Sequence, residues 1–322
     1  MDLTGKVILL TGGTGSFGHA FVERVLELHP TVTIRIYSRD ELKQSEMRAR
    51  YNDHRLRFFI GDVRNKTRLA RAMQGADIVV HAAAMKQVPA CEYNPFEAVQ
   101  TNILGGQHVV DCAIDARVPK VVALSTDKAV NPVNLYGATK LCAEKIFVQG
   151  NNYAAQFSTR IACVRYGNVV GSRGSVVPIF QKQIANGNNL TITDPRMTRF
   201  WITLTDAVDL VLFALDNMRG GEIFVPQLPS MRVTDLAEAM APGRDVEIIG
   251  IRPGEKLHEQ LLTAEESRHT IRVGRTFVLL PEEPAWDKGT DWQGAPVPEG
   301  FEYTSGDNDE WLTAEDLVEM IP

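Results

Sequence analysis

The chain has 322 residues, 44% of them hydrophobic and 23% charged, which is ordinary globular usage and excludes a disordered or fibrous protein. Lys and Arg total 34 against 40 Asp and Glu, and the net charge of −6 weighs against a nucleic-acid binder but not against a small anionic ligand met by a local basic cluster. Four cysteines without a Cys-x-x-Cys pair point to buried, reduced thiols in a cytoplasmic setting, and the seven histidines show no metal-ligand spacing, so no metal is expected.

Met1 and Asp2 run straight into a strand pattern, so no signal peptide is expected, and no apolar stretch is long enough to span a membrane. Lys6 to Thr11 reads as a buried strand. Phe17 to Leu28 has helical spacing, with Phe17, Phe21, Val25 and Leu28 on one face. Strand-like runs follow at Val32–Tyr37, Leu56–Ile60, Ile78–His81, Val121–Leu124 and Ile161–Arg165, separated by helical patterns near 40–50, 66–74, 95–116 and 134–150. Strands alternating with helices predict an α/β fold, a doubly wound parallel Rossmann sheet with right-handed crossovers. After Tyr166 the rhythm breaks, and a smaller C-terminal α/β substrate domain is expected. The predicted division is 1–170 plus about 200–228 for the nucleotide-binding domain, and about 171–199 plus 229–322 for the substrate domain and tail. The tail beyond Pro281, with Trp286, Trp292 and Trp311, reads as irregular chain pinned by aromatics.

Gly12, Gly15 and Gly18 stand between the first strand and the first helix, in Thr11-Gly-Gly-Thr-Gly-Ser-Phe-Gly. The first glycine suits a tight turn, the second a close approach to a pyrophosphate, and the third helix–strand packing, while the helix end supplies N–H groups. Gly12, Thr14, Gly15, Ser16, Phe17 and Gly18 are thus the candidate cofactor loop. At the end of the second strand, where an NAD site places an acid, Ser38 and Arg39 stand instead. With Lys43 they favour the 2′-phosphate of NADP, and Asp40 remains available either to a ribose or as a helix N-cap. Asp62 and Val63 fit an adenine contact, and Ala82, Ala83 and Ala84 a small-residue floor.

Thr126, Asp127 and Lys128 end the fifth strand, and Tyr136 and Lys140 share one face of the next helix. Both segments fall at carboxyl ends of strands, where open α/β sheets bind ligands. Lys140 and a positive nicotinamide would lower the Tyr136 pKa and make its phenolate a base. By spacing alone, seven Tyr and 11 Lys give about 0.24 chance pairs, so the Tyr–Lys pair is informative only together with the glycine loop.

The glycine loop, Thr126 and Tyr136-x-x-x-Lys140 make the chain resemble the extended short-chain dehydrogenase/reductase family, whose members remodel nucleotide sugars. Further segments resemble its branch of inverting UDP-N-acetylglucosamine 4,6-dehydratases of pseudaminic acid synthesis. They are Tyr37-Ser-Arg-Asp-Glu-Leu-Lys-Gln, Ala82-Ala-Ala-Met-Lys, Ser125-Thr-Asp-Lys-Ala, Tyr166-Gly-Asn-Val-Val-Gly-Ser-Arg-Gly-Ser-Val-Val-Pro, Arg196-Met-Thr-Arg-Phe-Trp and Ile251-Arg-Pro-Gly-Glu-Lys. Gln87 departs from the histidine expected in many relatives. The resemblance implies that Tyr136 takes the C4 hydroxyl proton while NADP accepts hydride, and that Thr126 bonds that oxygen. It further implies Lys128 as base at C5, Asp127 as acid at C6, and hydride return to C6. For those roles the Asp pKa should be raised and the Lys pKa lowered.

The implied UDP-sugar contacts are Lys86, Asn168, Arg173, Thr191, Arg199, Arg252 and Glu255. The helices carrying Ile103, Val109, Val110, Ile114, Leu141, Ile146 and Phe147 would pair across a two-fold axis in a homodimer or larger oligomer. A UDP-sugar 4-epimerase needs no acid–base pair for elimination. A retaining dehydratase more often pairs Asp with Glu, and a non-catalytic NADP sensor has no use for Tyr136 and Lys140.

Overall fold

The computed structural model describes residues 2–172, 175–282, 286 and 292–321. The first half is β1 (Val7–Thr11), α1 (Ser16–Leu28), β2 (Thr33–Ser38), α2 (Glu41–Tyr51), β3 (Leu56–Ile60), α3 (Lys66–Met73) and β4 (Ile78–His81). After β4 come α4 (Val88–Tyr93), α5 (Pro95–Ala98), a π-helical turn (Val99–Leu104), α6 (Gly105–Asp115), β5 (Lys120–Leu124), α7 (Leu135–Ala154) and β6 (Arg160–Val164). Local chemistry sets these boundaries. Asp40, Asn65 and Asn134 cap α2, α3 and α7 by accepting backbone N–H bonds, and Asn52 closes α2 at φ 42°. The helix expected over 95–116 is instead three consecutive segments with a π-turn in the middle. Asn102, buried in that turn, bonds Met85 N and O at 2.8 and 2.9 Å and Thr139 Oγ1 at 3.0 Å, tying the segment after β4 to α7.

The second half is β7 (Asn168–Val169), α8 (Val176–Ala185), β8 (Leu190–Ile192), β9 (Thr198–Ile202), α9 (Leu204–Asn217), β10 (Ile223–Pro226), β11 (Ser230–Arg232) and α10 (Val233–Met240). It ends with β12 (Val246–Ile248), β13 (Gln260–Leu262), β14 (Thr270–Val273), β15 (Thr276–Leu279), β16 (Ala295–Pro296), β17 (Tyr303–Thr304) and α11 (Ala314–Met320).

The ten-stranded sheet runs β16-β14-β15-β10-β6-β5-β4-β1-β2-β3. From β10 to β3 every pairing is parallel, and β1 lies between β2 and β4. This is the doubly wound order, with its crevice where the chain reverses direction beyond the ends of β1 and β4. The expected fold is therefore present. Burial explains the strand composition: Ile8, Leu9, Leu10, Val121, Val122, Ile161 and Ala162 are fully covered by helices on both faces.

Two expectations change. β14, β15 and β16 add antiparallel to the large sheet through β10, so residues 270–279 and 295–296 do not sit in the smaller unit to which they were assigned. The smaller core instead joins α8, β8, α10 and α11 through Val177, Phe180, Leu190, Leu236 and Leu317. The tail likewise carries regular elements. Its aromatics do pin it, with Trp286 Nε1 donating to Gly220 O and Trp311 under the Arg232 guanidinium, but α11 is a capped helix with a buried Leu317. Of the four thiols, Cys91, Cys112 and Cys163 are buried as expected and Cys142 is exposed on α7. Val109, Val110 and Phe147 are covered by the sheet core, so only the outer faces of α6 and α7 remain for any partner. No helix among the described residues is long and apolar enough to cross a membrane.

Candidate active site

β5 ends at Leu124, and Thr126 caps a single 3₁₀ turn, Asp127–Ala129. The turn holds Thr126, Asp127 and Lys128 at the carboxyl edge of the sheet. α7 docks so closely that a Cβ on Gly137 would lie 2.1 Å from Lys128 O, which only glycine permits. Tyr136 is thereby brought against Thr126, with a hydrogen bond between the two side chains.

Lys128 Nζ is the centre of the cluster. It donates to both carboxylate oxygens of Asp127 at 2.9 Å and to Asn168 Oδ1 at 2.9 Å, and lies 3.2 Å from Glu259 Oε1. Arg199 Nε stands 3.7 Å from the same Glu259 oxygen. Burial raises the Asp127 pKa, and the nearby Glu259 charge adds to it, while Lys128 and Thr126 oppose. That is the direction expected of an acid. For Lys128, burial works to lower the pKa, but the carboxylates of Asp127 and Glu259 outweigh it and the net direction is up. The expectation of a lowered Lys128 is therefore corrected: between two carboxylates the ammonium is favoured.

Tyr136 also departs from expectation. Burial raises its pKa, Asp127 adds to that, and the Thr126 hydrogen bond opposes. Lys140 does not bring it down here, because its ammonium donates to Leu124 O at 2.7 Å. Burial lowers the Lys140 pKa itself.

The glycine loop has the geometry of an anion cradle. Gly12 sits at φ +68°, and a Cβ on Gly18 would collide with Gly13 O at 2.1 Å. The α1 N-terminus has no side-chain cap and no acid in its first turn, so its N–H groups and dipole suit a pyrophosphate. Thr14 is buried beside the loop, and Ser16 opens the helix. Phe17 stacks on Phe21 in the core margin, which makes it a packing residue as well. Ser38 Oγ accepts from Gln44, and Arg39 is largely exposed, 3.9 Å from Asp62 Oδ2. Asp40 takes the N-cap alternative: it accepts Lys43 N and pairs with Lys43 Nζ at 3.0 Å. Val63 packs under Gly105, and Ala82 and Ala83 border Gly12, with Ala84 exposed beyond them. These residues fit a dinucleotide.

The proposed sugar-nucleotide contacts separate into two groups. Asn168 accepts from Lys128, and Arg199 stands beside Glu259 in the same cluster. Arg252 and Glu255 lie farther out and pair with each other at 3.9 Å, on a loop whose Gly254 O accepts from Asn134, the cap of α7. Thr191 lies in β8, where its hydroxyl accepts from Gln183 at 2.8 Å, and Lys86 is exposed after β4. Arg173 lies outside the described residues.

Sequence reasoning missed Glu259, Lys256 and Asn102. Lys256 donates to Val130 O and faces the Asp127 cluster. Glu259 sits three residues past the Arg252-Pro-Gly-Glu-Lys segment, and no local pattern marks it, since Arg199 and Lys128 lie 60 and 131 positions away in sequence.

Residues 8–281 match the family described as polysaccharide biosynthesis protein. The chain is 51% identical over 325 residues to the UDP-N-acetylglucosamine 4,6-dehydratase (inverting) of Campylobacter jejuni, covering 98% of this chain and 97% of that one. It is 46% identical over 276 residues to the UDP-glucose 4-epimerase of Rickettsia akari, covering 84% and 81% respectively. The X-ray structure of Pen from Bacillus thuringiensis matches with a TM-score of 0.92 at 38% identity, over 99% of this chain and 98% of that one. With these likenesses added to the Rossmann sheet, the glycine loop and the Tyr136–Lys140 helix, the chain belongs to the polysaccharide biosynthesis protein family, within the extended short-chain dehydrogenase/reductases.

Proposed function

We propose that the chain is a nucleotide-sugar 4,6-dehydratase that converts UDP-N-acetylglucosamine, with inversion at C5, to UDP-2-acetamido-2,6-dideoxy-β-L-arabino-hexos-4-ulose, the opening step of pseudaminic acid-type sugar synthesis. The observation that carries this reading is the buried Asp127–Lys128 pair, joined by two 2.9 Å bonds beside Thr126 and Tyr136. Oxidation at C4 alone, as an epimerase requires, needs Tyr136 and Thr126 but no such pair. The likeness to the Campylobacter dehydratase over nearly the whole chain supports the same choice.

NADP, when bound, supplies the acceptor for the C4 hydride and its return to C6. Tyr136 takes the C4 hydroxyl proton, and Thr126 hydrogen-bonds that oxygen. The C4 ketone acidifies the C5 proton, which Lys128 removes while Asp127 protonates the departing C6 hydroxyl. A proton passed from Nζ to Asp127 across 2.9 Å leaves a neutral amine and a carboxylic acid, the two species the elimination uses. NADP is preferred to NAD because Arg39 stands at the β2 end while Asp40 is committed to capping α2. Asn168 and Arg199 face the sugar and diphosphate, with Arg252 and Glu255 toward the uridine. A homodimer or larger homo-oligomer is the expected assembly, since Tyr93, Phe96 and Leu104 leave apolar surface exposed on and beside α4–α6.

The test is incubation with UDP-N-acetylglucosamine in D₂O without added NADPH, followed by NMR. The expected product is a 4-keto-6-deoxy sugar of arabino configuration with deuterium at C5. The second reading, a UDP-sugar 4-epimerase, is favoured by the Rickettsia relative, and formation of UDP-N-acetylgalactosamine alone would overturn the dehydratase reading in its favour.

A further inference from the structure

The ammonium of Lys128 is held by two carboxylates, and only one of them comes from the motif at the end of β5. The other, Glu259, arrives from the C-terminal half, 131 positions later in the sequence. It is 3% exposed, and its second oxygen, Oε2, is buried with no hydrogen-bond partner among the described residues. Its backbone is fixed with unusual thoroughness for a loop residue. Glu259 N donates to Ser305 Oγ at 2.9 Å, Ser305 N donates to Glu259 O at 2.8 Å, and Ser305 Oγ is 2.8 Å from Thr198 Oγ1. A buried carboxylate that is only half satisfied is costly to keep, and a fold that needed only a cross-link could have used an apolar contact.

We propose that Glu259 is a positioning residue for the elimination: from the side of the C-terminal half its carboxylate holds Lys128 Nζ against Asp127, and its negative charge favours the protonated form of both groups. This rests on the dehydratase reading for its catalytic meaning, while the arrangement of charged groups around the two carboxylates is independent of it. Two carboxylates share one close cation, Lys128, and Arg199 adds a second positive group on the Glu259 side. Lys256 also faces the cluster, and the Tyr136 phenol of α7 lies against Asp127. Asp127 takes the two shorter Lys128 bonds, and Arg199, 3.7 Å from Glu259 Oε1, favours the charge on Glu259. The pKa directions agree: burial raises Glu259, but Lys128, Arg199 and Lys256 bring it down, whereas burial and Glu259 together raise Asp127. No atom is gained or lost; Glu259 only biases where one proton resides.

The experiment is carboxyl NMR on the full chain labelled with ¹³C at the Asp and Glu side-chain carboxyls, with Asp127 and Glu259 assigned through Asp127→Asn and Glu259→Gln. In the wild-type protein Glu259 should ionise at lower pH than Asp127. In Glu259→Gln, which keeps an acceptor for Lys128 but removes the charge, the Asp127 titration should move to lower pH. The reverse order in the wild type, or an unmoved Asp127 in the variant, overturns the proposal; where Glu259→Gln does not fold, Glu259→Asp supplies the Glu259 assignment and the wild-type order decides.

Turnover gives a second reading. Glu259 raises both Asp127 and Lys128, so removing its charge should shift both limbs of the pH–kcat profile to lower pH with KM little changed, and Glu259→Asp should restore them. A role in folding alone would scale kcat and leave the limbs in place, which refutes the proposal. If the wild-type protein makes no 4-keto-6-deoxy sugar, the dehydratase reading falls, and the carboxyl titration still settles the role of Glu259.

Discussion

Replacing Arg165 with Met tests how the two halves of the chain are held around the site. Arg165 follows β6, is 1% exposed, and is bidentate to Glu144 of α7 (3.0 and 2.7 Å) and to Glu266 (3.0 and 3.0 Å), with Leu261 O at 2.9 Å. Glu144 lies one helical turn beyond Lys140, and the next residue after Arg165, Tyr166, accepts Asp127 N through its carbonyl. Methionine removes all five bonds and leaves the buried Glu144 and the partly buried Glu266 carboxylates facing each other without the guanidinium. Loss of one partner from such a cluster costs about 3–5 kcal/mol. At about 2 °C per kcal/mol for a chain of this length, the melting temperature should fall by about 6–10 °C near neutral pH.

The pH dependence follows from the sign of the shifts. Burial would raise Glu266, but Arg165 holds it below the ordinary 4.5, so its stabilisation is fully present above that value and is lost as pH falls through the lower folded value. In the variant Glu266 loses its cation, burial then favours its protonated form, and the repulsion across the vacated site eases as pH falls. The gap between the two proteins should therefore narrow toward pH 4. Differential scanning calorimetry of both proteins from pH 4 to 8 measures this. A change under about 1 kcal/mol at pH 7, or a gap that widens toward acid, would refute the reasoning.

Lys128→Met should lower dehydration roughly 100-fold or more while C4 oxidation, followed as reduced cofactor, persists; normal dehydration by this variant would remove Lys128 from the role of base. Arg39→Ala should weaken NADP binding by roughly tenfold and NAD binding little, as read by calorimetric titration, because a single charge-assisted contact to the 2′-phosphate is lost. Equal loss for both cofactors would assign Arg39 to adenine stacking alone. Asn102→Ala leaves Met85 N and O without their buried partner and should cost about 1–3 kcal/mol in urea unfolding. A variant as stable as wild type would show that water replaces the side chain there.

The site's legibility differed from residue to residue. Thr126, Asp127, Lys128 and Tyr136 were readable because a strand end and the following helix bring near neighbours in sequence together. Asp40 illustrates the limit of such reading: both a ribose contact and an N-cap were compatible with its position, and only the Lys43 N–H in place selects the cap. The pKa of Lys128 was misread because its second carboxylate was invisible. A side chain's charge state depends on everything within a few ångströms, and Glu259 reaches Lys128 only through β13, the Ser305 contact and the loop over Asn134.

By itself the sequence determined the parallel sheet from β1 to β6, because fully buried strands leave continuous apolar runs and capped helices between them leave 3.6-residue periodicity. It also determined the glycine loop, since a left-handed residue and a close helix–strand contact tolerate no side chain. Tertiary structure alone decided that β14 to β16 extend the large sheet, that the tail carries a capped helix, and that Lys128 lies between two carboxylates. Those features depend on pairing and burial between distant segments, whose composition is compatible with several arrangements until the core chooses one.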